Sequence, residues 1–212
     1  MKKTKIPFWA RLLLAIALIA FIAVLFDSWP YVKSFFLVLF FLVVIYYRKA
    51  QLANVSAFTK KTIGFDDRKV LVPIYTVFLF ACAYDFLSMP LNLPITVFGG
   101  IVFTIGIYIY AQSVQALGKN FSTAVEIKKN HELIQSGPYR HIRHPCYFGS
   151  LLFFGGLAIA ANSLLACLVY LIVLLPWFAW RIKNEEKMME KEFGKKYLDY
   201  KKKTNMLIPK VF

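Results

Sequence analysis

Gly137-Pro138-Tyr139-Arg140-His141-Ile142-Arg143-His144-Pro145-Cys146-Tyr147 is a polar, basic stretch set between two blocks of near-continuous hydrophobic sequence. All three histidines of the chain, His131, His141 and His144, fall in it or just before it. The flanking blocks must be buried, in lipid or in one another, while the island between them must reach water. The composition agrees: 212 residues that are 59% hydrophobic and 17% aromatic place the chain in the membrane class, with length for one domain only. A net charge of +15 would suggest nucleic acid in a soluble protein. In a membrane chain, lysines and arginines held in cytoplasmic loops are the simpler cause, and no nucleic-acid partner is expected. Cys82, Cys146 and Cys167 imply no disulfide framework.

Outward from the island, six apolar segments can be drawn. They run over about 10–26, 34–47, 70–89, 95–117, 146–161 and 163–180. The first follows Met1-Lys2-Lys3-Thr4-Lys5 and resembles a signal peptide. No small-residue cleavage site precedes Asp27-Ser28-Trp29-Pro30, however, so it reads as a retained helix. Pro90 and Pro94 break the third segment from the fourth. The last two are split only by Asn162-Ser163 and predict a tight helical hairpin. Beyond them, Lys187 to Lys203 alternates charge with Met188, Met189, Phe193, Tyr197 and Tyr200, the pattern of an amphipathic helix lying on a bilayer. The predicted fold is therefore all-α: a polytopic transmembrane bundle of about six helices with a cytoplasmic loop and an amphipathic C-terminal helix.

Counting charges predicts the orientation. If Met1 is cytoplasmic and every segment crosses, Lys33 is the one basic residue among the 26 that lies in an outer loop. Both termini, the 118–145 loop and the C-terminal tail then share the cytoplasmic face. Asp85, the acid deep in the third segment, reads as snorkelling to water at the outer end rather than as an ion pathway.

Pro145 suits the first position of the fifth helix, where a missing N–H costs nothing. The unpaired N–H groups of that helix start can hold an anion, with His144 and Tyr147 beside them. Each residue alone also has an ordinary reading: Arg140 and Arg143 as interfacial anchors, Tyr139 and Tyr147 as aromatic-belt residues. The density of the cluster points to function. A metal site is not expected, because Pro145 interrupts the candidate ligands His141, His144 and Cys146 and no acid is close. In the second polar cluster, Arg181-Ile182-Lys183-Asn184-Glu185-Glu186, Arg181 and Glu185 share one helix face. They form either a surface ion pair or a clamp, with the guanidinium as a planar fork for a carboxylate.

His131-Glu132-Leu133-Ile134, Gly137-Pro138-Tyr139 and Arg143-His144-Pro145-Cys146-Tyr147, followed by Arg181, Glu185-Glu186, Phe193-Gly194, Tyr197 and Tyr200, resemble the isoprenylcysteine carboxyl methyltransferase family and the related phospholipid methyltransferases. The resemblance covers roughly 117–212 as the methyltransferase core, with 1–116 as leading transmembrane helices of one membrane domain. It implies an S-adenosylmethionine site formed by His131, Glu132, Leu133, Ile134, Tyr139, His144, Pro145, Cys146, Tyr147, Glu185 and Glu186, with Lys128 added from the looser match of the stretch Glu126 to Lys128. It implies that Arg181 holds the substrate carboxylate, with Glu185 beside it as the second catalytic group. A carboxylic acid is already ionised at neutral pH and needs no general base. An amine acceptor would need one, with His144 or Glu186 the candidates. The expected activity is S-adenosylmethionine-dependent carboxyl methylation of an isoprenylcysteine-like or other lipophilic acceptor. The alternatives are a phospholipid amine N-methyltransferase, an NADPH-dependent sterol or lipid reductase, and a non-catalytic membrane scaffold.

Overall fold

The computed structural model describes residues 63–65, 68–127 and 131–208. The first two expected helices and Lys128 lie outside the described residues. Strand β1 (Ile63–Phe65) leads to α1 (Arg68–Ser88) and α2 (Leu93–Leu117). Strand β2 (Val125–Ile127) follows, then α3 (Pro145–Ala160) and α4 (Leu164–Val169). A π turn, Tyr170–Leu174, joins α4 to α5 (Leu175–Phe193), and α6 (Lys195–Lys203) ends the order. α4, the π turn and α5 form one 30-residue rod, and with Val70–Ser88 and Leu93–Asn120 it is long and apolar enough to cross a membrane. α3 is a shorter apolar helix. The four expected helices from Val70 to Trp180 thus stand within one or two residues of their predicted starts. The last continues thirteen residues past Trp180 into the charged sequence. The expected C-terminal amphipathic helix is divided by Gly194, whose φ of 50° lies in the left-handed region.

α2 and α3 pack with almost no side chain between them. A Cβ added at Gly99, Gly106, Gly149 or Gly156 would fall 2.2–2.6 Å from backbone nitrogen of the facing helix. Small residues are what permit such an approach between membrane helices. At the far end, Asn162 adopts φ 51°, a conformation asparagine tolerates. Its side-chain oxygen accepts from Asn92 N at 3.0 Å and its amide donates to Thr96 Oγ1 at 2.6 Å, tying the two tight turns together.

Asp85 does not snorkel. It is 6% exposed and accepts from Ser163 Oγ at 2.8 Å and from Leu165 N at 3.0 Å. The carboxylate thus meets one free N–H at the start of α4 and the hydroxyl of its N-cap, Ser163, and those donors offset the cost of removing it from water. Around this cap, α1, α3 and the rod enclose a core of Phe78, Ala81, Cys82, Ala158, Ala161, Ala166, Leu174 and Phe178.

The all-α expectation needs one small amendment. β1 and β2 form an antiparallel pair with Ile63 opposite Ile127 and Phe65 opposite Val125. Three-residue strands some sixty residues apart carry no periodic signal in sequence.

Candidate active site

The site lies at the charged end of the bundle, where the loop before α3, the end of the rod and the C-terminal segment converge. Pro145 starts α3, with His144 as the residue before it. The loop is held by the tail: Arg143 N donates to Asn205 O at 2.8 Å, His144 N to Met206 O at 3.1 Å, and Asn205 N to His141 O at 3.2 Å. The sequence between α6 and residue 208 is therefore a strap across the loop.

Arg143, read from sequence as an interfacial anchor, is the hub of this arrangement. Its Nε donates to Glu186 Oε1 at 2.8 Å, and its Nη1 donates to Lys201 O at 3.2 Å and to Thr204 O. Glu186 also receives Lys201 Nζ at 2.8 Å and lies 3.3 Å from His144 Nε2. Three basic side chains, from the loop and α6, thus meet one carboxylate on α5. The carboxylates of Glu186 and Glu190 hold the Lys201 ammonium above its ordinary range.

A second layer supports the loop from within. Tyr200 donates to Tyr139 O at 2.7 Å, and the Tyr139 hydroxyl lies 3.3 Å from Cys146 Sγ. Burial pushes the Tyr200 phenol up to about 12 and the Tyr139 phenol higher still, so both remain protonated at neutral pH.

Arg181 and Glu185 face a different neighbour. Tyr147 donates its hydroxyl to Glu185 Oε2 at 2.7 Å, and the Arg181 guanidinium sits 5.8 Å from the centroid of the same ring. Arg181 is only 7% exposed and donates through Nη2 to Thr123 O, so the stretch before β2 reaches the site as well. His144 packs edge-on against Tyr147 at 5.7 Å. A buried guanidinium beside an aromatic face is suited to a planar carboxylate.

Among the residues expected at a cofactor, the structure brings Tyr139, His144, Pro145, Cys146, Tyr147, Glu185 and Glu186 into this cluster. His131 lies against Phe193 with ring centroids 6.1 Å apart. Glu132 is exposed, its N donating to Asn120 Oδ1 at 3.3 Å and its carboxylate paired with Lys119 at 2.8 Å. Leu133 and Ile134 are half-buried. Sequence reasoning missed Thr123, Asn120, Lys201 and the strap. The surplus of basic residues around Arg143 was the available signal for a carboxylate partner. Glu126, on β2, is a further feature: its Oε1 accepts from Ser122 Oγ at 2.5 Å, while its Oε2 is buried with no hydrogen-bond partner.

The resemblance read from these motifs is borne out by comparison with known proteins. Residues 94–196 match the phospholipid methyltransferase family model. The chain is 32% identical over 116 residues to the protein-S-isoprenylcysteine O-methyltransferase of Saccharomyces cerevisiae, covering 54% of this chain and 48% of that one. With the Schizosaccharomyces pombe enzyme of the same name it is 32% identical over 107 residues, covering 50% and 45%. With protein-S-isoprenylcysteine O-methyltransferase A of Arabidopsis thaliana it is 30% identical over 105 residues, covering 49% and 53%. The chain therefore spans about half the length of the curated relatives it matches. A solved structure of a eukaryotic intramembrane Ras methyltransferase, isoprenylcysteine carboxyl methyltransferase, superposes with a TM-score of 0.53 at 24% identity, covering 70% of this chain and 55% of that one. That likeness establishes the fold. With three helices of membrane-crossing length and an intramembrane neighbour, this is a membrane protein.

Proposed function

We propose that the chain is an integral membrane methyltransferase that uses S-adenosylmethionine to methylate the carboxylate of a lipophilic acceptor. The observation that carries this reading is the buried Arg181 set over Tyr147, whose hydroxyl fixes Glu185, inside the segment that matches the phospholipid methyltransferase family. Guanidinium and carboxylate stand one turn apart on α5, so one can hold an anion while the other accepts from a hydroxyl or ammonium.

The residues present fit the cofactor. It carries an ammonium and ribose hydroxyls that require acceptors, and Glu185 together with the partnerless Glu126 Oε2 supplies them. Its adenine requires apolar or aromatic faces, and Tyr147, Phe193, Leu133 and Ile134 are of that kind. When bound, S-adenosylmethionine supplies an electrophilic methyl group on a sulfonium. Arg181 orients the acceptor carboxylate, and alignment is the main demand of an in-line transfer. Glu186, held by Arg143, His144 and Lys201, keeps the loop closed behind the site. In the orientation predicted from charge, this end faces the cytoplasm, where the cofactor is found, and the acceptor's tail lies in lipid.

The family description also favours a second reading, a lipid amine as acceptor. An amine must first lose a proton, and His144, hydrogen-bonded to Glu186, is the base available. Transfer of a radiolabelled methyl group from S-adenosylmethionine to prenylcysteine analogues, fatty acids, thiols and phosphatidylethanolamine tests both. A base-labile product marks an ester, and a base-stable product formed from phosphatidylethanolamine marks an amine. Arg181→Ala and Glu185→Ala are expected to abolish most of the transfer. Tight NADPH binding without S-adenosylmethionine binding would refute the proposal.

A further inference from the structure

α3 has 16 residues, or ~24 Å, and so falls short of a ~30 Å hydrocarbon core. Its far end is held level with the start of α2, because Asn162 bonds both Asn92 N and Thr96 Oγ1. The shortfall is therefore at the charged end. There the loop before Pro145, and the strap paired with it, begin at the edge of the apolar layer, among lipid headgroups. α6 reaches the same level. It leaves Gly194 at the tip of α5 and runs back alongside that helix. Lys201 Nζ then meets Glu190 and Glu186, and the Lys201 and Thr204 carbonyls meet Arg143.

The aromatic side of α6 that the sequence assigns to the bilayer is turned inward instead: Tyr197 and Tyr200 are buried, and Tyr200 is bonded to the loop. What α6 leaves exposed is Lys195, Lys196, Leu198, Lys202 and Lys203. Asp199, the acid of this helix, lies 3.7 Å from Lys202 Nζ, so four exposed lysines stand against one carboxylate. Beside them the strap exposes Ile208, and the loop exposes Arg140 next to His141, whose carbonyl accepts from Asn205 N. A basic surface with aliphatic side chains among its charges, at headgroup depth, fits an anionic phospholipid. Free phosphate has no apolar part to meet Leu198 and Ile208, and a soluble acidic protein gains nothing from that depth. We propose that α6 and the strap form a docking surface for anionic phospholipid, whose phosphate is held by Lys202 and Lys203 together with Arg140 of the loop. A lipid seated there ties the end of α6 to the loop, so the surface charge of the bilayer sets how firmly the strap is closed. The inference stands apart from the methyltransferase reading, because its readout is the strap and not the transfer.

The test titrates dioctanoylphosphatidylglycerol into the full chain in a neutral detergent and follows hydrogen exchange at the Arg143, His144 and Asn205 amides, which cross the strap. At ten times the half-saturating concentration, a lipid that binds the closed strap alone should raise their protection about tenfold. Dioctanoylphosphatidylcholine, inorganic phosphate and a glutamate-rich peptide should leave it unchanged. In Lys202→Gln/Lys203→Gln the half-saturating concentration should rise about 25-fold, roughly fivefold per charge, with protection in the middle of α2 and α3 retained. Lys202→Arg/Lys203→Arg should behave as the wild-type protein, and added salt should weaken the effect. Equal protection by the two lipids overturns the inference, and the wild-type comparison decides this even if the glutamine variant fails to fold. An equal effect of inorganic phosphate would mark a simple anion site, and an effect of the acidic peptide alone a protein partner. Either result, or an undiminished lipid effect in the folded glutamine variant, also overturns it.

Discussion

Replacing Glu186 with alanine should release the C-terminal strap while leaving the transmembrane bundle folded. The carboxylate receives Arg143 Nε and Lys201 Nζ, each at 2.8 Å, and His144 Nε2 at 3.3 Å. The Arg143 and Glu186 side chains are only 11% and 12% exposed, so little of this interaction is screened by solvent. Removing one partner of a buried ion pair costs ~3–5 kcal/mol, because the other charge is left uncompensated. Arg143 keeps its carbonyl partners Lys201 O and Thr204 O, and Lys201 keeps Glu190, which places the cost at the lower end, ~3 kcal/mol. That loss should appear as local opening. The reporters are the amides of Arg143, His144 and Asn205, whose acceptors all lie across the strap. At 1.4 kcal/mol per tenfold, their hydrogen-exchange protection should fall by ~100-fold, while amides in the middle of α2 and α3 stay unchanged. Glu186→Gln, which retains an acceptor, should lose roughly tenfold. A double-mutant cycle with Arg143→Ala should return a coupling of ~1.5–3 kcal/mol. Unchanged protection at the three strap amides in Glu186→Ala, or a coupling near zero, would show that the hub does not hold the loop.

Other consequences lie elsewhere in the molecule. Gly156→Ala would place a Cβ 2.3 Å from Phe103 N, so the variant should lose ~1–3 kcal/mol and several degrees of thermal midpoint. The neighbouring Gly155→Ala, whose nearest atom is 3.4 Å away on the Tyr170 side chain, should be close to neutral, and similar losses in both would refute the close-packing account. Asp85→Ala leaves the Leu165 N–H without its acceptor and the Ser163 hydroxyl with only Ala81 O, and should cost ~1–3 kcal/mol by equilibrium unfolding in mild detergent, with Asp85→Asn recovering part of it. The ion pairs of Lys201 give a pH dependence of known sign. Its folded-state value is raised, so its contribution is fully present below the ordinary lysine value near 10.5 and is lost as pH rises through the higher folded value. A spin label at Leu207→Cys should therefore stay immobile from neutral pH to about pH 10 and loosen only above it. Loosening between pH 7 and 9 would contradict this assignment.

The sequence was most informative where its signals act within four residues. Proline at 94 and 145, asparagine at 162 and the glycines of 99–106 and 149–156 mark helix starts, a tight turn and a close helix pair without reference to anything distant. It was least informative where a charge is matched across the fold. Asp85 meets its donors 78 and 80 residues away, and Arg143 meets Glu186 across 43. Residue type alone could not tell a snorkelling acid from a helix cap, or an interfacial anchor from a hub. Glu185 and Glu186 show how far the difference reaches. They are adjacent and chemically identical, and the motif treats them as a pair. On a helix they point ~100° apart, so one carboxylate meets the Tyr147 hydroxyl in the cluster with Arg181 while the other meets Arg143, His144 and Lys201 beneath the strap. The two should therefore fail differently when removed. Loss of Glu185 should depress methyl transfer with strap amides still protected, whereas loss of Glu186 should expose those amides first and weaken cofactor affinity only as a result. Identical effects of the two substitutions on strap protection would mean that both carboxylates belong to one site, and the division of labour read from their neighbours would be wrong.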